Sequence, residues 1–282
     1  MSAETLRLGI HQFAPRLRAP SENLATIIGA SDGLDLLLTP ELALTGYDVG
    51  DAVHRLAVPL AVGAPLPYAA SDHDAALVLG MIEQGHDGIP YNSAALVADG
   101  AVRFRHRKLY LPTYGMFDEA RYFGRGTDLE TFELDGWRFG LLVCEDFWHP
   151  GLIYALAAAG IDVLLVSSAA PGRGVWEGGD DGMFASTEVW HRIARTSAQL
   201  YGIYVALANR VGVEGAATFA GSSVIVGPDG AVLAQADHEP ALLTATLNRA
   251  DLLAARRPYS HARDDDPRIV ERALARLRGA NA

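Results

Sequence analysis

Trp137-Arg-Phe-Gly-Leu-Leu-Val-Cys-Glu-Asp-Phe-Trp-His-Pro150 decides how the rest of the chain is read. An apolar run, Leu141-Leu-Val143, leads into Cys144, the only cysteine among 282 residues, and Glu145 and Asp146 follow it. Pro150 and Gly151 then open a helix-compatible segment, Leu152 to Ala159. Apolar run, polar cluster and helix together outline a strand-to-helix turn. Such a turn holds a nucleophile at the edge of a sheet, with backbone N–H groups free to bind an oxyanion. A lone cysteine is more often a small buried hydrophobe, so its meaning depends on which residues reach it.

Composition narrows the field. Half of the residues are apolar and 20% are charged, which calls for a sizeable core. Acidic residues outnumber basic ones 34 to 23, for a formal charge of −11. That balance disfavours nucleic acid or an anionic membrane face as the main partner. One cysteine forbids an intrachain disulfide and suits a reducing compartment. Met1-Ser-Ala-Glu-Thr5 lacks the basic and apolar regions of a signal peptide, and no apolar run is long enough to span a bilayer. A cytoplasmic protein without membrane contact is expected.

Along the chain, Leu6–Phe13, Leu34–Pro40, Ala75–Met81, Ile161–Ser167, Ile203–Ala208 and Ala241–Leu247 read as strands. Asp99-Gly100 and Asp135-Gly136 mark hairpins, and Gly227-Pro-Asp-Gly230 a third. Ser21 is the expected N-cap of a helix over Asn23–Ala30. Leu42–Leu60 is helix-compatible but interrupted by Gly46 and Gly50. Phe184–Tyr201 has helical spacing, with Val189, Trp190, Ile193, Ala194, Ser197 and Leu200 on one face. Pro171–Gly182, with five glycines, reads as loop. The chain divides into one mixed α/β domain over residues 1–255 and a charged extension over 256–282, expected at a subunit interface.

Three strand ends carry chemistry: Glu41 after Thr39-Pro40, Lys108 after His106-Arg107, and Cys144 after Leu142-Val143. In α/β folds ligand sites gather at the carboxyl ends of strands. A thiolate is the nucleophile, and a neighbouring cation or base must generate it. A carboxylate can take the thiol proton and deliver it to a leaving amine. An ammonium meets the negative charge of a tetrahedral intermediate.

The segments Pro40-Glu-Leu-Ala-Leu-Thr-Gly-Tyr47, Arg107-Lys-Leu-Tyr-Leu-Pro-Thr-Tyr-Gly-Met-Phe-Asp-Glu119 and Cys144-Glu-Asp-Phe-Trp148 resemble the three signatures of the nitrilase superfamily, carbon–nitrogen hydrolases with a Glu-Lys-Cys triad. The likeness continues through Asn209-Arg-Val-Gly212 and Phe219-Ala-Gly-Ser-Ser223, so it spans roughly residues 5 to 250. It implies a four-layer αββα sandwich of two mixed sheets flanked by helices, paired with a second subunit as a homodimer or higher homo-oligomer. It also implies Glu41 as general base, Lys108 as oxyanion cation and Cys144 as nucleophile. Glu119 would orient the lysine, and the N–H of Glu145 would be a second oxyanion donor. No metal or other cofactor is implied.

Within the superfamily the motifs are most like the glutaminase domain of glutamine-dependent NAD synthetases. Tyr47, Tyr114, Glu145 and Ser168 match positions that line the glutamine pocket of that branch. Two departures stand out. Val166-Ser-Ser-Ala-Ala-Pro171 lacks the asparagine and second serine usual there, and no Ser-Gly-Gly-x-Asp-Ser pyrophosphate loop is present. The expectation is a small-molecule amidase, either acting alone or supplying ammonia to a separate synthetase. A nitrilase or an N-carbamoyl hydrolase of the same superfamily is the alternative. Outside it, a Cys-His hydrolase using His149 or His191 and a non-catalytic binding protein remain open.

Overall fold

A computed structural model of the chain describes residues 3–68, 74–115, 117–174, 184–258 and 261–279. Its strands are β1 (Thr5–Gln12), β2 (Leu36–Leu38), β3 (Ala76–Gln84), β4 (Pro90–Ala98), β5 (Ala101–Arg107), β6 (Thr131–Leu134), β7 (Trp137–Val143), β8 (Val163–Ser168), β9 (Tyr204–Asn209), β10 (Val211–Glu214), β11 (Ala217–Ala220), β12 (Val224–Val226), β13 (Val232–Gln235) and β14 (Ala241–Asn248). One six-stranded sheet runs β14-β1-β2-β3-β4-β5, and a second runs β13-β12-β9-β8-β7-β6. Each is mixed: β1, β2 and β3 are parallel, as are β7, β8 and β9, and the flanking strands are antiparallel.

Side-chain alternation along the strands builds the layers. Leu36 and Leu38 join Leu8, Ile10 and Val78 in a core shared with Phe139, Leu141, Val163, Leu165 and Val205 of the other sheet. Leu37, between them, points outward with Leu77 and Leu79 onto Leu24 and Ile27 of α1 (Pro20–Gly29). The central parallel strands are covered on both faces, so they read as continuous apolar runs rather than alternating ones. A short helix, α2 (Val53–Leu56), lies between β2 and β3 in sequence. The second sheet is covered by α3 (Pro150–Ala158) and α4 (Ala185–Tyr201), through Ile153, Leu156, Trp190, Ala194 and Ala198. The result is the αββα sandwich. Beyond β14 come α5 (Arg249–Arg256), α6 (His261–Asp264) and α7 (Pro267–Gly279).

The hairpins form as the Asp-Gly pairs require: Asp99-Gly100 and Asp135-Gly136 all have positive φ, the two-residue turn that matches strand twist. Elsewhere local expectation and structure part. The first helix is capped by Ala19 with Pro20 in its first turn, not by Ser21. Proline's fixed φ starts the helix without a side-chain cap. Most of Leu42–Leu60 is turn, because Leu42, Gly46 and Gly50 all have positive φ; only α2 and a 3-10 turn over Gly50–Ala52 are helical. On α4 the buried face is Thr187, Trp190, His191, Ala194, Ser197 and Ala198, whereas Val189 is 36% and Leu200 54% exposed. The small residues Ala194 and Ala198 let the helix sit close on the second sheet. Of the loop expected over 171–182, residues 175–182 lie outside the described residues. The hairpin β10–β11 and helix α5 had no separate signal in the sequence pattern.

Candidate active site

Glu41 lies three residues past β2. It is fully buried, and the backbone around it is closely fitted. Leu42 takes φ 51°, and a Cβ on Gly80 of β3 would meet Pro40 O at 2.2 Å and Leu42 N at 2.6 Å. Only glycine there lets the turn cross the strand. The Glu41 N–H donates to Ser168 O (3.3 Å), joining the end of β2 to the end of β8 in the other sheet. Its carboxylate accepts from Asn92 Nδ2 and Lys108 Nζ at Oε1, 2.7 Å each, and from the Ala169 N–H at Oε2, 3.0 Å.

Lys108 directly follows β5 and is held by its own N–H donating to Asn92 O (2.8 Å). Its ammonium is 1% exposed and donates to Glu41 and to Glu119 Oε1, 2.7 Å each. Burial opposes the charge, but Glu119 and Glu41 outweigh it and hold the amine well above its ordinary range. Glu119 moves the other way from a simple ion pair. Burial, with Glu41 nearby, pushes its carboxyl up to about 7 although Lys108 pulls it down. Two buried carboxylates around one ammonium carry a net negative charge, and a proton on Glu119 relieves it.

Cys144 directly follows β7 and has φ 46°, the left-handed region that costs a side-chain-bearing residue about 1–3 kcal/mol. The segment Cys144–Trp148 turns back as a 3-10 helix before α3. The thiol is 6% exposed and accepts a hydrogen bond from the Ser168 hydroxyl, 3.4 Å. Burial and the Glu41 charge raise its pKa well above the usual thiol range, against the pull of Lys108 and Ser168. The buried thiol lies within the fields of both Glu41 and Lys108.

Tyr47 and Tyr114 lie near this trio. Tyr47 donates its hydroxyl to Glu119 Oε1 and packs on Phe117 and Phe219. Its backbone N–H donates to the buried Glu214, 2.7 Å. Tyr114 is 52% exposed and donates to Glu145 Oε2, 2.8 Å. Burial and Glu145 push its phenol up to about 12. Beside Glu119, a cavity of about 310 Å3 is lined by Tyr47, Tyr122, Phe123, Glu214 and Phe219, with Asp48 and Asp118 among its other walls.

Four residues that the motifs did not single out also belong to this region. Asn92 bridges Glu41 and Lys108. Arg173 places its guanidinium against Gly115 and 5.5 Å from the Phe117 ring, beside Tyr114. Asp146 and His106 form a buried pair, Oδ2 to Nε2 3.0 Å. Asn92 lies mid-strand and Arg173 at the start of a glycine-rich loop, so neither had a local signature. His149 stacks on Tyr110, and His191 donates from Nε2 to Ser222 O at 2.7 Å. Neither ring is hydrogen-bonded to Cys144, so the Cys-His arrangement gains no support. Among the described residues no group of three or more His, Cys, Asp and Glu is arranged to hold a metal ion, and no helix is long and apolar enough to cross a membrane.

Residues 7–257 match the model of the carbon-nitrogen hydrolase family. The chain belongs to that family. It is thus a hydrolase of carbon–nitrogen bonds. A glutamine-dependent NAD(+) synthetase of Acinetobacter baylyi is 30% identical over 241 residues, 83% of this chain but 42% of the relative. An (R)-stereoselective amidase of a Pseudomonas species is 32% identical over 249 residues, 86% of this chain and 84% of the relative. The solved structure of a cysteine-to-alanine mutant of a Nesterenkonia amidase from the nitrilase superfamily is 30% identical, with a TM-score of 0.71 over 92% of this chain and 96% of that one. The chain spans less than half the length of the NAD(+) synthetase relatives it matches, 42% in one and 47% in another.

Proposed function

We propose that this hydrolase cleaves the amide of a small, glutamine-like compound through a thioester on Cys144. The observation that carries the reading is the Lys108 ammonium fixed 2.7 Å from both Glu41 and Glu119, with the Cys144 thiol under the influence of Glu41 and Lys108. As the substrate carbonyl docks, Glu41 takes the thiol proton and the sulfur attacks the carbonyl carbon. The oxygen gains a negative charge, met by Lys108 and by the N–H of Glu145 in the turn after the nucleophile. Glu41 returns its proton to the amide nitrogen, the C–N bond breaks, and ammonia leaves a thioester behind. Water then gives a proton to Glu41 and its oxygen to the acyl carbon. The thiolate departs, recovers the proton, and a carboxylic acid is released.

Substrate class is read from the mouth of the site. Glu145 and Arg173 flank Tyr114 with opposite charges, which suits the ammonium and carboxylate of an α-amino acid head. Ser168 sits against the sulfur, and Tyr47 closes the wall beside Glu119. The similarity to glutamine-dependent NAD(+) synthetases supports the same class. It also favours a role in passing ammonia to a separate synthetase. The C-terminal helix α7 has no buried residue and exposes Ile269, Val270, Leu274 and Leu277, an apolar set that supports an interface in a homo-oligomer.

Ammonia release from glutamine, short aliphatic amides, nitriles and N-carbamoyl amino acids tests the reading. Glutamine-like amides should give the highest kcat/KM, with Cys144→Ala inactive. Turnover of nitriles or N-carbamoyl compounds alone would overturn it.

A further inference from the structure

Asp146 is fully buried, and it touches both arms of the catalytic cluster. Its Oδ1 accepts from the N–H groups of Leu109 and Tyr110, 2.9 Å each, the two residues directly after Lys108. Its Oδ2 accepts from the N–H of Val143, 3.2 Å, the residue directly before Cys144. The same oxygen faces Nε2 of His106, 3.0 Å, two residues before Lys108. His106 is itself 2% exposed. Four partners fill the acceptor capacity of one carboxylate.

The strands joined in this way belong to different sheets. Lys108 leaves β5 at the edge of the first, and Cys144 leaves β7 in the second. No β-ladder runs between them, so their relative position depends on packing and on cross-sheet ties. A carboxylate accepts hydrogen bonds and does not donate them, which fixes His106 as the donor through Nε2.

We infer that Asp146 and His106 are a positioning pair that sets the Lys108 ammonium against the Cys144 sulfur, with His106 serving as an N–H donor and not as an acid or base. The inference rests on Cys144 being the reacting nucleophile. Asparagine at 146 keeps an oxygen for Leu109 and Tyr110 but turns N–H bonds toward the Val143 N–H and toward His106 Nε2, so it damages the Cys144 arm and the His106 contact together. Alanine at 106 removes the donor, and glutamine restores a neutral one.

The test is the rate of Cys144 alkylation by iodoacetamide as a function of pH, with thermal unfolding measured on the same samples. It needs no knowledge of the natural substrate. Asp146→Asn and His106→Ala should alkylate about 10- to 100-fold more slowly than wild type at temperatures where both are folded, as loss of a supporting hydrogen bond at a reacting centre does. Their pH midpoints should move upward, and His106→Gln should recover most of the wild-type rate. A reactive wild-type thiol with His106→Ala equally fast, or with His106→Gln as slow as His106→Ala, overturns the pair alone. One alkylation rate shared by wild type and all variants, with hydrolysis of the amide panel undiminished in Cys144→Ala, overturns the nucleophile and the pair together.

Discussion

The ammonium of Lys108 and the carboxylate of Glu119 lie 2.7 Å apart with both side chains almost wholly out of water. Glu41 binds the same ammonium at the same distance. The cation is thereby immobilised, and a buried negative charge is left over, which Glu119 relieves by holding a proton up to about pH 7.

That proton has a consequence for stability. An acid whose folded pKa is raised keeps a proton that the unfolded chain has lost, so its contribution is complete at low pH and disappears as pH rises from about 4.5 to about 7. Glu119→Gln lacks this slope. Urea unfolding of both proteins at about pH 5 and about pH 8 should show wild type losing stability relative to Glu119→Gln as pH rises. Parallel profiles contradict the assignment.

A second prediction concerns packing at Gly80. A methyl group there meets the backbone of Pro40 and Leu42 well inside contact distance and lies 2.9 Å from Glu41 Cα. Gly80→Ala should cost about 1–3 kcal/mol of stability through overpacking. Displacing Glu41 by a fraction of an ångström should also lower kcat by about 100-fold. Steady-state kinetics and denaturant titration of the same variant separate the two effects.

Much of the fold was legible because its strands are short apolar runs ended by turn residues or by a single polar residue. Thr39-Pro40-Glu41 and Leu142-Val143-Cys144 announce both the strand and its cargo. Asp99-Gly100 and Asp135-Gly136 left the hairpins little choice. Legibility failed where distant residues decide. Leu42–Leu60 has helical composition, yet Leu42 is held in a left-handed conformation by the crossing over Gly80. Leu200 fits an apolar helix face but is exposed, bordering a groove lined by Trp148 and Ile153 of the neighbouring turn and helix. Asn92, Asp146 and His106 take their roles from strands paired or packed across long sequence distances, and one sequence carries no local sign of that.

Histidine substitutions discriminate the triad from a Cys-His enzyme. His149 is stacked on Tyr110 and His191 is committed to Ser222 O. His149→Ala and His191→Ala should keep activity within about tenfold, although loss of the buried His191 hydrogen bond costs about 1–3 kcal/mol of stability. Under the proposed mechanism Glu41→Gln and Lys108→Met each remove a group that acts on the transition state, and each should lose about 1,000-fold or more in kcat. The reverse pattern favours the Cys-His enzyme.

Arg173 separates recognition from chemistry. If its guanidinium holds a substrate carboxylate, Arg173→Ala raises KM for glutamine by about 10- to 100-fold, the cost of one charged hydrogen-bonded contact, and leaves kcat for a short aliphatic amide unchanged. Kinetics on the two substrates side by side read this out. An equal loss on both assigns Arg173 to loop structure.

The central claim is covalent chemistry at Cys144, and intact-protein mass spectrometry reaches it most directly. Acid-quenched enzyme turning over a glutamine-like amide should carry one added acyl mass, mapping to the peptide that holds Cys144 and absent from Cys144→Ala. Ammonia release without that adduct, persisting undiminished in Cys144→Ala, contradicts it.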